Sequence, residues 1–233
     1  MASLSEKQLK PIDEISPMWQ VLTQEERFYL RENTKLHHFR KNEVIYCEGE
    51  TPKYMICLIT GKVKIYKDGV GGRSQIIRFV KPIEIFSYRA FFAKEDYLTS
   101  ASTLEPTTAY LVPLQVVEQI IQSNNKLALY FIQSLATDLG IDDARIVSLT
   151  QKHVRGRLAE SLIMLRDNYG VEADSKTIKS RLSREDLANY SNMTTSNAIR
   201  TLSNFVSEGV IAVSGRNIKI LDEEQLRKIS KIG

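Results

Sequence analysis

Cysteine is almost missing from this 233-residue chain, with Cys47 and Cys57 the only two. Two thiols cannot build a disulfide framework, a four-cysteine iron–sulfur cluster or a structural zinc site. Their scarcity points to a reducing cytoplasm. Histidine is nearly as scarce: His37, His38 and His153 are all there are. The adjacent pair His37–His38 falls on opposite faces of a strand, so no convergent His/Glu set for metal chemistry is expected. No glycine-rich phosphate loop, Ser-His-Asp set or Cys-His pair stands at an interpretable spacing, and catalysis is not expected. No apolar run approaches the roughly 18 residues a membrane helix needs. The N-terminus, MASLSEKQLKPIDE, does not read as a signal peptide. Proline stops early too, since all six lie between Pro11 and Pro113. The first half is therefore turn-rich, and the second can hold uninterrupted helices.

The formal net charge is only +4, but it is unevenly spread. Residues 1–150 hold 18 basic and 18 acidic side chains, and the surplus lies wholly in 151–233. Within 176–219, seven basic residues (Lys176, Lys179, Arg181, Arg184, Arg200, Arg216 and Lys219) face three acidic ones. Such a concentration suits a surface that meets phosphates.

Short helices are expected over 14–35, with Thr23 as a cap. From Leu36 to Val112 the pattern changes to short strands: Glu43–Tyr46, Tyr54–Ile59, Val63–Tyr66, Gln75–Val80 and Thr108–Val112. Gly49, Thr60-Gly61 and Asp68-Gly69 mark turns. Many short strands without intervening helices predict a small sandwich or barrel and exclude a Rossmann arrangement. A short helix follows over Leu114–Gln122, then a long one from Lys126 to about Leu149. In the long helix Phe131, Leu135, Leu139, Asp142, Ile146 and Leu149 recur at spacings of four and three, a narrow seam suited to a partner helix. Gln151–Asn168 reads as a further helix ended by Tyr169-Gly170.

The stretch SREDLANYSNMTTSNAIRTLSNFV, from Ser183 to Val206, carries the most information. Ser183 with Asp186 forms a helix N-terminus signature, Ser191-Asn192 breaks the periodicity, and Thr194 or Thr195 caps a second helix. Ala198, Leu202 and Phe205 form the inner face of that helix. Its outer face carries Thr195, Ser196, Asn197 and Arg200, a hydrogen-bonding array. This is the pattern of a helix-turn-helix whose second helix enters a DNA major groove. Val210–Val213 and Asn217–Leu221 then flank Ser214-Gly215-Arg216. That hairpin reads as a wing, with Arg216 at its tip aimed at a phosphate.

A roll, a long helix and a winged helix-turn-helix in this order resemble the Crp/Fnr family of bacterial transcription factors, named for the cyclic-AMP receptor protein and the fumarate-nitrate regulator. The resemblance rests on Ile59-Thr-Gly61-Lys-Val63, on Val154-Arg-Gly-Arg-Leu-Ala159, and on Leu182-Ser-Arg-Glu-Asp-Leu-Ala188 through Arg200. It implies an α+β fold with three parts: a cyclic-nucleotide-binding-like β-roll with flanking helices over 1–125, a dimerisation helix over 126–150, and a winged helix-turn-helix over 151–233. It also implies a homodimer that binds double-stranded DNA, contacts RNA polymerase if it activates, and has no membrane partner. By position, Thr195, Ser196 and Arg200 match the contacting residues of the family's recognition helix. Many relatives have glutamate where Ser196 stands, so the familiar half-site need not apply. A small-molecule-binding module whose helix-turn-helix serves protein contacts is the alternative reading.

In the family's cyclic-nucleotide members a Gly-Glu pair holds the ribose and an Arg-Ser or Arg-Thr pair holds the phosphate. Alignment of Ile85–Phe92 puts Ser87 and Tyr88 at the first pair and Leu98-Thr99 at the second. Leu98 cannot neutralise a phosphate, and Tyr88 lacks a carboxylate's two acceptors. Asp142-Asp143 stands where the resemblance places a Thr-Ser pair facing the adenine, and Arg89 is the one nearby cation. Cyclic AMP in the usual pose is therefore not expected. Haem, which a single histidine can hold, stays open, and the small-molecule effector is unknown.

Overall fold

The computed structural model describes residues 16–69 and 71–232. The N-terminal polar stretch thus lies outside the described residues. Two compact units are present, one of residues up to 65 with 79–139 and one of 66–78 with those from 140 onward.

The first unit opens with a 3-10 turn, Pro17–Val21, capped by Ser16. Helix α1 (Gln24–Asn33) follows, and Thr23 closes a reciprocal capping box with Glu26 as expected. The Glu26 N–H donates to Thr23 Oγ1 at 3.3 Å, and the Thr23 N–H donates to Glu26 Oε2 at 2.8 Å.

Eight strands come next: β1 (Lys35–Phe39), β2 (Val44–Tyr46), β3 (Tyr54–Thr60), β4 (Val63–Asp68), β5 (Ser74–Val80), β6 (Ile85–Phe86), β7 (Ser100–Thr103) and β8 (Thr107–Pro113). They form two four-stranded sheets, ordered β1-β8-β3-β6 and β2-β7-β4-β5. The sequence shows five of these strands; β1, β6 and β7 lack the β-branched runs that would reveal them.

Strand β3 explains why the unit needs two cores. Its side chains alternate, sending Ile56 and Leu58 into one cluster with Phe39, Tyr46, Val63 and Phe86. Met55 and Cys57 join the other, with Trp19, Leu30, Leu114, Leu127 and Phe131. A strand covered on both faces reads as a continuous apolar run. Gly61 turns β3 into β4 at φ +96°, where an added Cβ would lie 2.8 Å from the Thr107 Cα. No other residue fits that turn.

Helix α2 (Arg89–Ala93) sits between β6 and β7, and α3 (Leu114–Ser123) and α4 (Asn125–Gln151) follow β8. Asn124 starts α4, its Oδ1 accepting from the N–H groups of Lys126 and Leu127 at 3.0 and 3.1 Å. The division between the units falls inside α4, after Leu139.

In the second unit the rest of α4 is followed by α5 (Val154–Tyr169), α6 (Arg184–Tyr190), α7 (Thr195–Ser207), β9 (Ile211–Ser214), β10 (Asn217–Ile220) and α8 (Glu223–Ile232). Leu158, Leu162, Leu187, Leu202, Phe205 and Leu226 are all buried. Helix α5 begins at Val154 rather than Gln151, because His153 is extended and serves as the N-cap. Gly170 stops it at φ +73°. Helix α8 was not anticipated from the sequence; Asp222 caps it, its Oδ1 accepting from the Gln225 N–H at 2.8 Å. The fold is α+β: a β-roll, a long helix and a winged helix-turn-helix.

The seam expected on α4 needs correcting. Phe131 is only 3 % exposed and Leu135 packs beside it on the roll's core. Leu149 is half-buried, and its carbonyl accepts from Arg157. The exposed row is Leu129, Ile132, Ala136, Leu139, Asp143 and Ile146, with Leu139 at 64 % and Ile146 at 60 %. Its spacing of three and four is that of a coiled-coil seam. Periodicity alone could not separate it from the roll-facing row, since both recur at helical intervals.

Candidate nucleic-acid interface

Helix α6 starts where Ser183 Oγ accepts from the Asp186 N–H at 2.9 Å, and the same hydroxyl donates to Asp186 Oδ2 at 2.6 Å. It ends at Ser191, and Asn192 turns the chain at φ +50°, a conformation asparagine tolerates. Thr194, not Thr195, caps α7, its Oγ1 accepting from the Asn197 N–H at 3.2 Å. Ala198, Thr201, Leu202 and Phe205 are buried, which turns Thr195, Ser196 and Arg200 to solvent.

Asn197 is half-buried and already engaged: Arg200 Nη2 donates to its Oδ1 at 2.8 Å. A guanidinium has donors only, so the amide oxygen must face it. That uses one of the two lone pairs on the Asn197 amide oxygen. The contact fixes the direction of the Arg200 side chain.

The wing forms as expected, with β9 and β10 antiparallel and Ser214 opposite Asn217. Gly215 holds the tip at φ +58°, and Arg216 beside it is exposed, with no partner among the described residues. Arg184, which sequence reasoning counted only as charge, donates from Nη2 to the Gly215 carbonyl at 2.6 Å and so ties α6 to the wing. Burial lowers its pKa from the ordinary arginine value.

Three more arginines set the motif in place. Arg157 donates to the carbonyls of Ser191 and Asn192 at 3.1 and 3.0 Å, and to Lys152 and Leu149 at 2.9 and 3.5 Å. Burial, and then the charge of Arg73, lower its pKa. Arg145 lies 4.0 Å over the Tyr190 ring and donates to the Tyr190 carbonyl at 2.5 Å. Arg155 grips both carboxylate oxygens of Glu208 and holds that carboxyl below its usual range. Carbonyl acceptors have no sequence signature, so the roles of Arg157 and Arg145 could not be read beforehand.

In the roll, the aligned effector residues do not come together. Ser87 lies at φ +76°, the left-handed region that suits the glycine of the family pattern, and its Oγ donates to the Tyr54 carbonyl at 2.9 Å. Tyr88 is buried against Phe92 and Phe131. Arg89 pairs with Glu95 at 2.6 Å. Leu98 is 51 % exposed and Thr99 half-buried. Asp142 and Asp143 are exposed on α4, within the second unit.

Of these, only Ser87 lines the roll's cavity, which measures about 470 Å³. Tyr97, not singled out from the sequence, fills part of the interior. Its ring stacks on Tyr46 at 3.9 Å, and its hydroxyl contacts Ser87 Oγ. His37 also lines the cavity, and His38 Nδ1 lies 3.0 Å from Thr108 Oγ1. Among the described residues no group of three or more His, Cys, Asp or Glu could hold a metal ion, and no helix is long and apolar enough to cross a membrane.

Comparison with known proteins matches both halves. A profile of the cyclic nucleotide-binding domain covers residues 36–124, and one of the Crp-like helix-turn-helix domain covers 156–229. A CRP-like cAMP-activated global transcriptional regulator of Mycobacterium tuberculosis is 23% identical over 191 residues, covering 82% of this chain and 85% of the relative. The structure of FixK2 from Bradyrhizobium japonicum superposes with a TM-score of 0.77 at 24% identity, over 84% of this chain and 96% of that one. The c-di-GMP responsive global regulator CLP of Xanthomonas campestris superposes at 0.72 and 16% identity, over 85% and 99%. With a profile match in each unit and the order of parts already described, the chain belongs to the Crp/Fnr family of bacterial transcription regulators.

Proposed function

We propose that the protein is a homodimeric regulator that reads a specific DNA sequence with α7 in the major groove. The observation that carries this is the outer face of α7, where Thr195, Ser196 and Arg200 stand exposed and Asn197 orients Arg200. An arginine so held can present two donors to guanine O6 and N7, worth about 1–3 kcal/mol of discrimination. Arg216 on the wing supplies a phosphate contact, and Lys176, Lys179 and Arg181 add positive charge.

Two copies meet along the exposed α4 row, from Leu129 through Leu139 to Ile146, and present two α7 helices to half-sites about one helical turn apart. Asp143 sits within this row and weakens it relative to an apolar residue. The roll is the sensor. Its effector is not cyclic AMP in the usual pose, since Leu98 offers no charge and Tyr88 is committed to the core. One relative's name specifies cAMP and another's c-di-GMP, so family membership does not fix the ligand. As an activator, the dimer would also meet RNA polymerase.

Selection from random duplexes followed by gel shift tests the reading. A preferred sequence that survives competitor DNA is the expected result, and Arg200→Ala should weaken it. Retention by all duplexes alike would sink it.

A further inference from the structure

The cavity of the roll is lined by Phe39, Tyr46, Tyr54 and Tyr97, by Ile45, Ile56 and Leu111, and by two opposite charges, Lys53 and Glu50. Its volume of about 470 Å³ lies within the common range for small-molecule sites. It is not the cassette of the family pattern, for only Ser87 is shared and neither Leu98 nor Thr99 lines it. Tyr46 and Tyr97, whose rings stack on each other at 3.9 Å and 20° from parallel, both line it.

The charges are the informative part. Lys53 and Glu50 line one cavity, yet neither forms an ion pair with the other or with any other described residue. Glu50 is held in place because its Oε2 accepts the Cys47 N–H at 3.0 Å, and its other oxygen is uncommitted. Its charge adds to burial in keeping the Tyr97 hydroxyl protonated. A cyclic phosphate would meet the Glu50 carboxylate as well as Lys53, whereas a neutral molecule with separated charges has a partner for each end. Aromatic walls supply the apolar contact and ring stacking for its body.

We propose that the roll binds a small aromatic zwitterion of the α-amino-acid class. Lys53 takes the carboxylate, Glu50 takes the ammonium, and the Tyr46, Tyr54 and Tyr97 rings enclose the side chain. This deepens the sensor reading, but the binding itself needs no DNA.

Isothermal titration of the full chain, without DNA, tests it with L-phenylalanine and L-tryptophan. 3-Phenylpropanoate lacks the ammonium, phenethylamine lacks the carboxylate, and cyclic AMP is the third comparator. At least one of the two amino acids should bind one to one. Both truncated probes should bind about tenfold weaker or worse, a loss of about 1.4 kcal/mol per missing pair. Lys53→Met and Glu50→Gln should each cost about tenfold for the amino acid with the melting temperature unchanged, since both side chains are exposed. No saturable heat from either amino acid up to roughly 10 mM would overturn the proposal. So would equal affinity for the truncated probes, variants that bind like the parent, or cyclic AMP binding that Lys53→Met abolishes. Because no duplex is present, failure here leaves the DNA-reading proposal standing, and failure of that proposal leaves this one measurable.

Discussion

The two units treat the family pattern in opposite ways. In the second unit the positions that face DNA in relatives hold exposed polar side chains, and the residues behind them are spent on holding the motif rigid. In the first, one position that the family pattern assigns to the ligand has gone into packing: Tyr88 lies in the core with Trp19 and Phe131. A surface that must touch a partner keeps its chemistry outside, while a cavity can be relined by a few aromatic rings.

Substitutions can break this contrast or sharpen it. The largest effect is expected from Phe205→Ala, because the ring is fully buried beneath the exposed face of α7. A loss of about 3–5 kcal/mol in urea unfolding is expected, and DNA binding should fall with it. Tyr97→Ala should cost the roll about 3 kcal/mol through the lost stack and hydroxyl contact. A duplex already selected should still be retained where the chain remains folded, and loss of retention without unfolding would contradict the separation.

Arg200→Ala should cost about 1–3 kcal/mol of sequence discrimination in gel shift with little change in unfolding. Asn197→Ala should cost less, and nothing further once Arg200 is gone; a double-mutant cycle reads that coupling. If Asn197→Ala keeps its full effect in the Arg200→Ala background, it contacts DNA itself.

The smallest effect is a pH dependence of the second unit. The Arg155 pairing depresses the Glu208 carboxyl, and Arg227 followed by Arg166 depresses Glu223. Asp174 is depressed by the Thr177 N–H, the Thr177 hydroxyl and the Lys176 N–H. A depressed carboxyl contributes stability above its unfolded pKa, near 4, and loses it as pH falls through the folded value. The unfolding midpoint should therefore drop from about pH 5 downward, less steeply in Glu208→Gln.

How much was legible follows from where the signals lie. The helix-turn-helix and wing were readable because caps, turn residues and inner-face spacing are local, and Ser183, Thr194 and Gly215 stand where their chemistry requires. Helix α8 carried a readable signal in Asp222, Leu226 and Ile229 that was passed over. Which stripe of α4 is exposed was not legible because a helix with two apolar stripes gives two answers, and only the packing of Phe131 on the roll decides between them. Tyr97 was invisible for a different reason. Whether a ring fills its own cavity or lines it for a guest depends on tertiary packing, and nothing within a few residues of Tyr97 records that.

The guanidinium of Arg157 behaves as a tie rod. It joins the end of α4, through Leu149 and the following Lys152, to the corner between α6 and α7, through Ser191 and Asn192. One planar group thus bridges the end of α4 and the corner between α6 and α7. A lysine at this site would keep the charge but lose the planar fork that spans both anchor points.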